Sequence, residues 1–253
     1  MYSLIILLTF AIGNGIYADI SVEDLKNEYA NEHSQFIEVN EMGVHYRDEG
    51  EGFPIVLIHG TAASLHTWDA WTDELKKTNR VIRMDLPAFG ITGPNKNADY
   101  SLQAYTDFLN LFIDKLKLEK FHLAGNSLGG NIAWNYTADY PEKVEKLILV
   151  DASGLPTNKQ PPSIFKMAKN PLLKSLFLYV TPKMLIKKNI EEVYADDSKI
   201  TEELVNRYHK MALRVGNRKA FIDRAKTDFG LDSVVNINKL KTILTPTLLI
   251  WGA

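Results

Sequence analysis

Apolar and polar residues alternate twice near the start of the chain, at residues 36–40 and 44–47, with the turn-like Asn40-Glu41-Met42-Gly43 between them. A period of two on both sides of a turn predicts an antiparallel hairpin. The next signal differs in kind. Residues 55–58 form a continuous apolar run ending at His59-Gly60, as expected of a strand buried on both faces. Residues 68–77 read as a helix and residues 80–84 as a strand. Residues 101–118 give the clearest helix: Leu102, Tyr105, Leu109, Phe112, Ile113 and Leu116 recur at helical spacing, with Ser101 at the N-cap. A strand at 121–124, a helix at 128–138 and a buried strand at 146–150 continue the series. Strands alternating with helices predict a mostly parallel sheet covered by helices on both faces.

The rhythm stops after Leu155. No comparable strand occurs before about Asp232, and Pro156, Pro161, Pro162, Pro171 and Pro182 punctuate helical pieces. Residues 155–232 therefore read as a helical insertion in a core made of 19–154 and 233–253, with the strand pattern returning at 247–252. At the amino terminus, residues 4–12 are an apolar run followed by Gly13, Asn14 and Gly15, with Ala18 as a cleavage residue. No Lys or Arg precedes the run, and Ile16 is larger than a cleavage site favours. Continued to Ala18, the run reaches about the shortest length that spans a bilayer. Residues 1–18 are expected to be a signal peptide or an N-terminal anchor, either of which puts the rest outside the cytoplasm; a buried strand or helix is the alternative. Residues 19–34 are polar and read as a tether or a surface helix.

Composition removes several classes. The chain has 253 residues, a net charge of -2, 45% hydrophobic and 24% charged residues. These values exclude wholesale disorder and a polytopic membrane protein. The near-neutral charge argues against nucleic acid as a partner. The absence of cysteine excludes disulfides, thiolate metal sites and a cysteine nucleophile, and leaves the redox compartment open.

Gly125-Asn126-Ser127-Leu128-Gly129 fits G-x-S-x-G directly between a predicted strand and a predicted helix. In that context the turn is so tight that its neighbours must be small, and the serine hydroxyl is lifted above the sheet edge. The following helix points its N-terminus at the same spot and favours developing negative charge. An ordinary glycine-rich turn with an idle serine is the bland reading. His59-Gly60-Thr61-Ala62 follows an earlier strand, so the Thr61 and Leu128 N–H groups would form an oxyanion hole above Ser127. Gly60, Gly125, Asn126 and Gly129 support the loop and the elbow, and His59 is expected to brace the loop rather than move a proton.

With these motifs the chain resembles the α/β-hydrolase superfamily over residues 36–253. Asp85-Leu86-Pro87-Ala88-Phe89-Gly90, Leu149-Val150-Asp151-Ala152 and Pro246-Thr247-Leu248-Leu249-Ile250-Trp251-Gly252 add to the match. The spacing is similar to the branch with a helical cap after the sixth strand, which includes carboxylesterases, lipase-like enzymes, meta-cleavage C–C hydrolases and perhydrolases. The resemblance implies an α/β-hydrolase fold and a serine nucleophile, Ser127. It disfavours dehalogenases and epoxide hydrolases, whose elbow nucleophile is Asp. It implies no metal or organic cofactor, and its small-molecule substrate would be an apolar ester.

The same resemblance implies an acid and then a histidine after the strand that ends at Gly252. None of the six histidines, His33, His45, His59, His66, His122 and His209, stands there. A carboxy-terminal truncation is the simple expectation, with the last strands and helix of the fold missing and these 253 residues inactive or nearly so. Asp151 is an alternative acid or a strand-end cap. His209, beside Arg207 and Lys210, reads as a surface histidine, and His122 points sideways from its strand. A non-catalytic binding protein is the reading from another class.

In the insertion, Lys159, Lys166, Lys169, Lys174, Lys183, Lys187 and Lys188 occur with no acid between Leu155 and Ile190. Either this half-cap meets an anionic substrate or membrane, or its apolar residues pack on the core while the lysines solvate it. Asn135-Tyr136-Thr137 is a glycosylation sequon inside a predicted core helix, and reads as accidental.

Overall fold

The computed structural model describes residues 18–154, 168–170, 177–227 and 238–252. The N-terminal apolar run and much of the lysine-rich half of the cap lie outside them. The chain opens with α1 (Val22–Tyr29), then β1 (Ser34–Val39), β2 (Met42–Glu49) and β3 (Phe53–Ile58). A 3-10 turn at Leu65–Trp68 leads into α2 (Asp69–Leu75), followed by β4 (Asn79–Met84), α3 (Leu102–Lys115), β5 (Phe121–Asn126), α4 (Leu128–Asp139) and β6 (Val144–Val150). The cap contributes α5 (Lys183–Glu191), α6 (Glu202–Ala212) and α7 (Asn217–Lys226), and β7 (Thr247–Ile250) returns to the sheet.

The seven-stranded sheet has the order β1-β2-β4-β3-β5-β6-β7. β1, β2 and β4 pair antiparallel, and β3 pairs parallel with both β4 and β5. β6 and β7 extend the parallel side. This is the doubly covered, mostly parallel sheet that the alternation of strand and helix requires. The apolar run of β3 lies at its centre, with Ile55, Val56, Leu57 and Ile58 all buried. On α3, Ser101 accepts the Ala104 N–H at 3.2 Å as its N-cap. Tyr105, Phe108, Leu109, Phe112 and Ile113 form the helix's buried face. Asn135 is buried on α4, and its side chain donates to Asn131, so its sequon is inaccessible for glycosylation.

Three expectations need correction or refinement. Residues 19–34 are neither a loose tether nor a purely superficial helix. Ser21 caps α1, and Leu25 is fully buried against Ile91 and Met211. The backbone of Ile20 exchanges hydrogen bonds with Leu213 and Val215 at 2.8 and 2.9 Å, tying this segment to the cap. His209 is buried, not superficial, and its Nε2 lies 2.8 Å from the Thr181 carbonyl oxygen. β7 is a strand as expected, yet Leu248, Leu249 and Ile250 are exposed.

The described part of the cap favours packing over a charged face. Phe177, Ile186 and Ile190 are buried, and the Phe177 ring meets that of Phe221 at 5.8 Å. Lys183 pairs with Glu202 and Lys187 with Glu191, so the acids later in the cap answer these two lysines.

Candidate active site

β5 runs into α4 with one residue between them, Ser127. Its backbone sits at φ 51 and ψ -113. Few non-glycine residues occupy this region, and such a conformation typically costs about 1–3 kcal/mol. Three hydrogen bonds hold it there. The Ser127 N–H donates to the Val150 carbonyl at 3.0 Å, and its carbonyl accepts from Asn131 at 3.1 Å and Ser153 at 3.0 Å. β6 and α4 therefore clamp the elbow from both sides.

The small residues are required by crowding. A Cβ on Gly125 would overlap the Gly129 carbonyl oxygen, and one on Gly129 would overlap that of Ile58 at the end of β3. A Cβ on Gly60 would lie 2.9 Å from Asn126 Oδ1 and 3.2 Å from the Ser127 Cβ. The loop after β3 thus passes directly over the elbow. Asn126 holds its own position by donating to the Val150 carbonyl at 3.2 Å. Leu128 opens α4, where helical geometry leaves its N–H without an intrahelical acceptor.

His59 is fully buried beside the loop after β3. Its Nε2 accepts from the Leu86 N–H at 3.0 Å, so the neutral ring carries its proton on Nδ1 and donates to the Gly60 carbonyl at 2.7 Å. Burial lowers its pKa against a smaller opposing effect of Asp85. The ring is committed on both nitrogens and is not a base for Ser127.

Sequence pattern presents Asp85 only as part of a loop and does not reveal its role. Its carboxylate is fully buried and accepts from the Leu65 N–H at 2.8 Å, the Ile91 N–H at 2.9 Å and His45 Nδ1 at 2.8 Å. Burial alone would raise its pKa. The hydrogen bond and charge of His45, with His59 and the Leu65 N–H, outweigh burial and hold the carboxyl below its ordinary value. One carboxylate thereby fixes both the loop after β3 and the loop after β4. The readable signal was Gly90, at φ 54, where a Cβ would overlap the Asp85 carboxylate.

Asp151 and His122 make their contacts with residues other than Ser127. The Asp151 carboxylate accepts from the Gly252 N–H at 2.9 Å, and its own N–H donates to the Ile250 carbonyl at 2.9 Å. It joins the ends of β6 and β7. The His122 ring stands 4.6 Å from that of Phe53, to the side of β5. Among the described residues, no imidazole is hydrogen-bonded to Ser127 or to Asp151. A narrow cavity of about 40 Å³ adjoins the loop after β3, lined by Ala62 and Ala63 from the core and by Tyr208, Phe221 and Arg218 from the cap. Burial pushes the Tyr208 hydroxyl up to about 12, so it stays neutral.

A mostly parallel sheet, a serine elbow at the end of β5 and a helical cap after β6 define an α/β-fold hydrolase. The family model for the alpha/beta hydrolase fold matches residues 54–176. The chain belongs to that family. It is 30% identical over 238 residues to a 2-hydroxy-6-oxononadienedioate/2-hydroxy-6-oxononatrienedioate hydrolase of Pseudomonas sp., covering 87% of this chain and 79% of the relative. The meta-cleavage product hydrolase of Pseudomonas fluorescens superposes with a TM-score of 0.71 at 25% identity, covering 86% of this chain and 79% of that one. A bacterial membrane phospholipase A shares the fold, with a TM-score of 0.72 at 24% identity over 99% of this chain and 81% of its own.

Proposed function

We propose that the protein is a serine hydrolase that cleaves a carboxylic ester through an acyl-enzyme. The observation that carries this reading is Ser127 held at φ 51 between β5 and α4, with Gly60 passing over its Cβ. In this mechanism the Ser127 oxygen attacks the ester carbonyl carbon. The Thr61 and Leu128 N–H groups receive the developing oxyanion, as donors at a helix N-terminus and an adjoining loop are suited to do. The tetrahedral intermediate collapses, the alcohol departs with a proton, and water then releases the acid from Ser127.

The mechanism also needs a general base to take the Ser127 proton and return it to the leaving alcohol, and the ring of His59 is already committed to the Gly60 carbonyl and the Leu86 N–H. Asp151 is the alternative acid, since only one of its carboxylate oxygens is engaged, by Gly252. Residues 1–18 would direct or anchor the chain outside the cytoplasm, a reading supported by their apolar run.

The second reading is C–C hydrolysis of a vinylogous 1,5-diketone, favoured by the names of the relatives matched over most of the chain. One pair of assays separates them. The gene is read to its stop codon and its product is given p-nitrophenyl butyrate and, separately, a 2-hydroxy-6-oxodienoate. Ester turnover lost by about a million-fold in Ser127→Ala is the expected result. Dienoate cleavage without ester turnover would replace the first reading with the second.

A further inference from the structure

Away from the elbow, Asp85, His45 and Ser34 form a chain of hydrogen bonds. His45 Nδ1 lies 2.8 Å from Asp85 Oδ2, and His45 Nε2 lies 3.0 Å from Ser34 Oγ. The hairpin register explains the meeting. Ser34 pairs with Arg47 and Phe36 with His45, so Ser34 and His45 are diagonal neighbours on one face of the sheet. The partners also set the proton positions. Asp85 accepts the Leu65 and Ile91 N–H groups as well, which favours the carboxylate and makes His45 Nδ1 the donor. The neutral ring then presents the lone pair of Nε2 to the Ser34 hydroxyl. The competing acceptor, Asn31 Oδ1, is farther at 3.4 Å and already takes the His33 N–H.

The surroundings of the Ser34 oxygen suit a nucleophile. The Asn31 N–H donates to it at 3.1 Å and Arg47 Nε at 3.3 Å, and both stabilise the negative charge that grows as its proton leaves. His45 and Asp85 are fully buried. Ser34 is partly exposed and opens the edge strand β1, beside exposed Asn31, His33 and Gln35. The base is thus shielded from water while the residue that carries the hydroxyl meets it.

We infer that Ser34 is a second nucleophile, activated by His45, that accepts an acyl group from a small activated ester such as an aryl acetate. Its oxygen bonds to the carbonyl carbon while its proton passes to His45 Nε2. The carbonyl electron pair returns from oxygen and expels the aryloxide, which takes the proton from His45. Acetyl-Ser34 and a phenol are the products. Arg47 Nε makes the longest contact on the Ser34 oxygen and is the donor that turns to the carbonyl oxygen. Asp85 touches no reacting atom and is a positioning residue. The inference is independent of the hydrolase reading of Ser127.

To test it, p-nitrophenyl acetate is given to the full gene product carrying Ser127→Ala. Acetylation of individual serines is timed by peptide mass spectrometry, with the exposed Ser198 as reference. Ser34 is expected to react at least about a hundredfold faster than Ser198, the lower end for general-base assistance. In His45→Gln its rate falls to that of Ser198. The pH course gives a reading that a merely bracing role would not move. An unassisted serine reacts as its alkoxide and gains about tenfold per pH unit, whereas Ser34 levels off once His45 is neutral. Around His45 stand Asp85, Arg47 through Ser34, and Lys26, which lies 4.4 Å over the Phe36 ring stacked on His45. These three keep their charges between about pH 5 and 9, His66 beyond Arg47 titrates at about 4, and His33 faces Glu32, so the levelling belongs to His45. Equal rates at Ser34 and Ser198, a Ser34 rate that survives His45→Gln, or one that climbs without levelling would each overturn the inference. Should His45→Gln fail to fold, the rate ratio and the pH course decide it.

Discussion

Ser127 stores backbone strain that only its chemistry justifies. A positive φ is imposed on it by the clamp of Val150, Asn131 and Ser153, and the cost is carried by the folded state alone. Ser127→Gly is therefore expected to stabilise the fold by about 1 kcal/mol while removing the nucleophile. Chemical denaturation that finds the variant less stable than the parent would contradict the strain account. His66 carries a second cost. Burial lowers its pKa from 6.5 to about 4, against Asp85 and Asp69, which raise it, and with Arg47 adding to the fall. The Arg47 guanidinium donates to Nε2 at 3.2 Å, so the neutral ring is the form that fits. The unfolded chain takes up this proton near pH 6.5 and the folded chain near pH 4. Stability present above pH 6.5 is thus lost as the pH falls through that window, by about 3 kcal/mol at 1.36 kcal/mol per unit. Denaturation curves between about pH 7 and 4 check the sign: in His66→Gln the loss across the window is expected to be smaller, and an equal loss would remove His66 as its source.

At the scale of elements, β5, the elbow and α4 are assembled by contacts too close for any side chain. Gly129→Ala would drive its methyl into the Ile58 carbonyl at the end of β3, where a backbone cannot yield cheaply. A loss of about 3 kcal/mol or more is expected, or no soluble protein at all, and a near-native melting temperature would mean that α4 can shift away from β3. These elements were legible in the sequence because their signals are local: apolar runs, helical spacing behind Ser101, and small residues around Ser127. The Asp85 arrangement was not. Its partners His45, Leu65 and Ile91 come from a strand and two loops, and no periodic pattern links them. His209 reads wrongly for a related reason. Arg207 and Lys210 make its stretch look solvated, while the contact that buries it comes from Thr181, a different segment of the cap.

The whole molecule is joined at a seam that sequence pattern cannot show, where α1 lies between the core loop at Ile91 and cap helix α6 at Met211. Leu25 fills this seam, the Ile20 backbone pairs with Leu213 and Val215 beyond it, and Lys210 reaches Glu28 at 2.6 Å. The surface ion pair contributes little by itself. The apolar plug matters more, because truncating a fully buried leucine typically costs about 2–5 kcal/mol when the walls cannot collapse. That cost falls on the cap and not on the sheet. The central strands pack in a core around Val56, Ile58 and Leu123 that also takes in Phe221 and Ile222 of α7 but not Leu25 or Met211 of α6. Leu25→Ala is therefore expected to raise the opening of the cap without unfolding the sheet, as local stability differs between elements of one fold. Amide hydrogen exchange reads this directly. Amides of α6 should lose protection by a factor of about ten or more, since about 1.4 kcal/mol is tenfold, while those of β3 and β5 stay unchanged. Uniform loss of protection across cap and sheet would mean that the seam belongs to one cooperative unit, and that the N-terminal segment holds the whole fold rather than the cap.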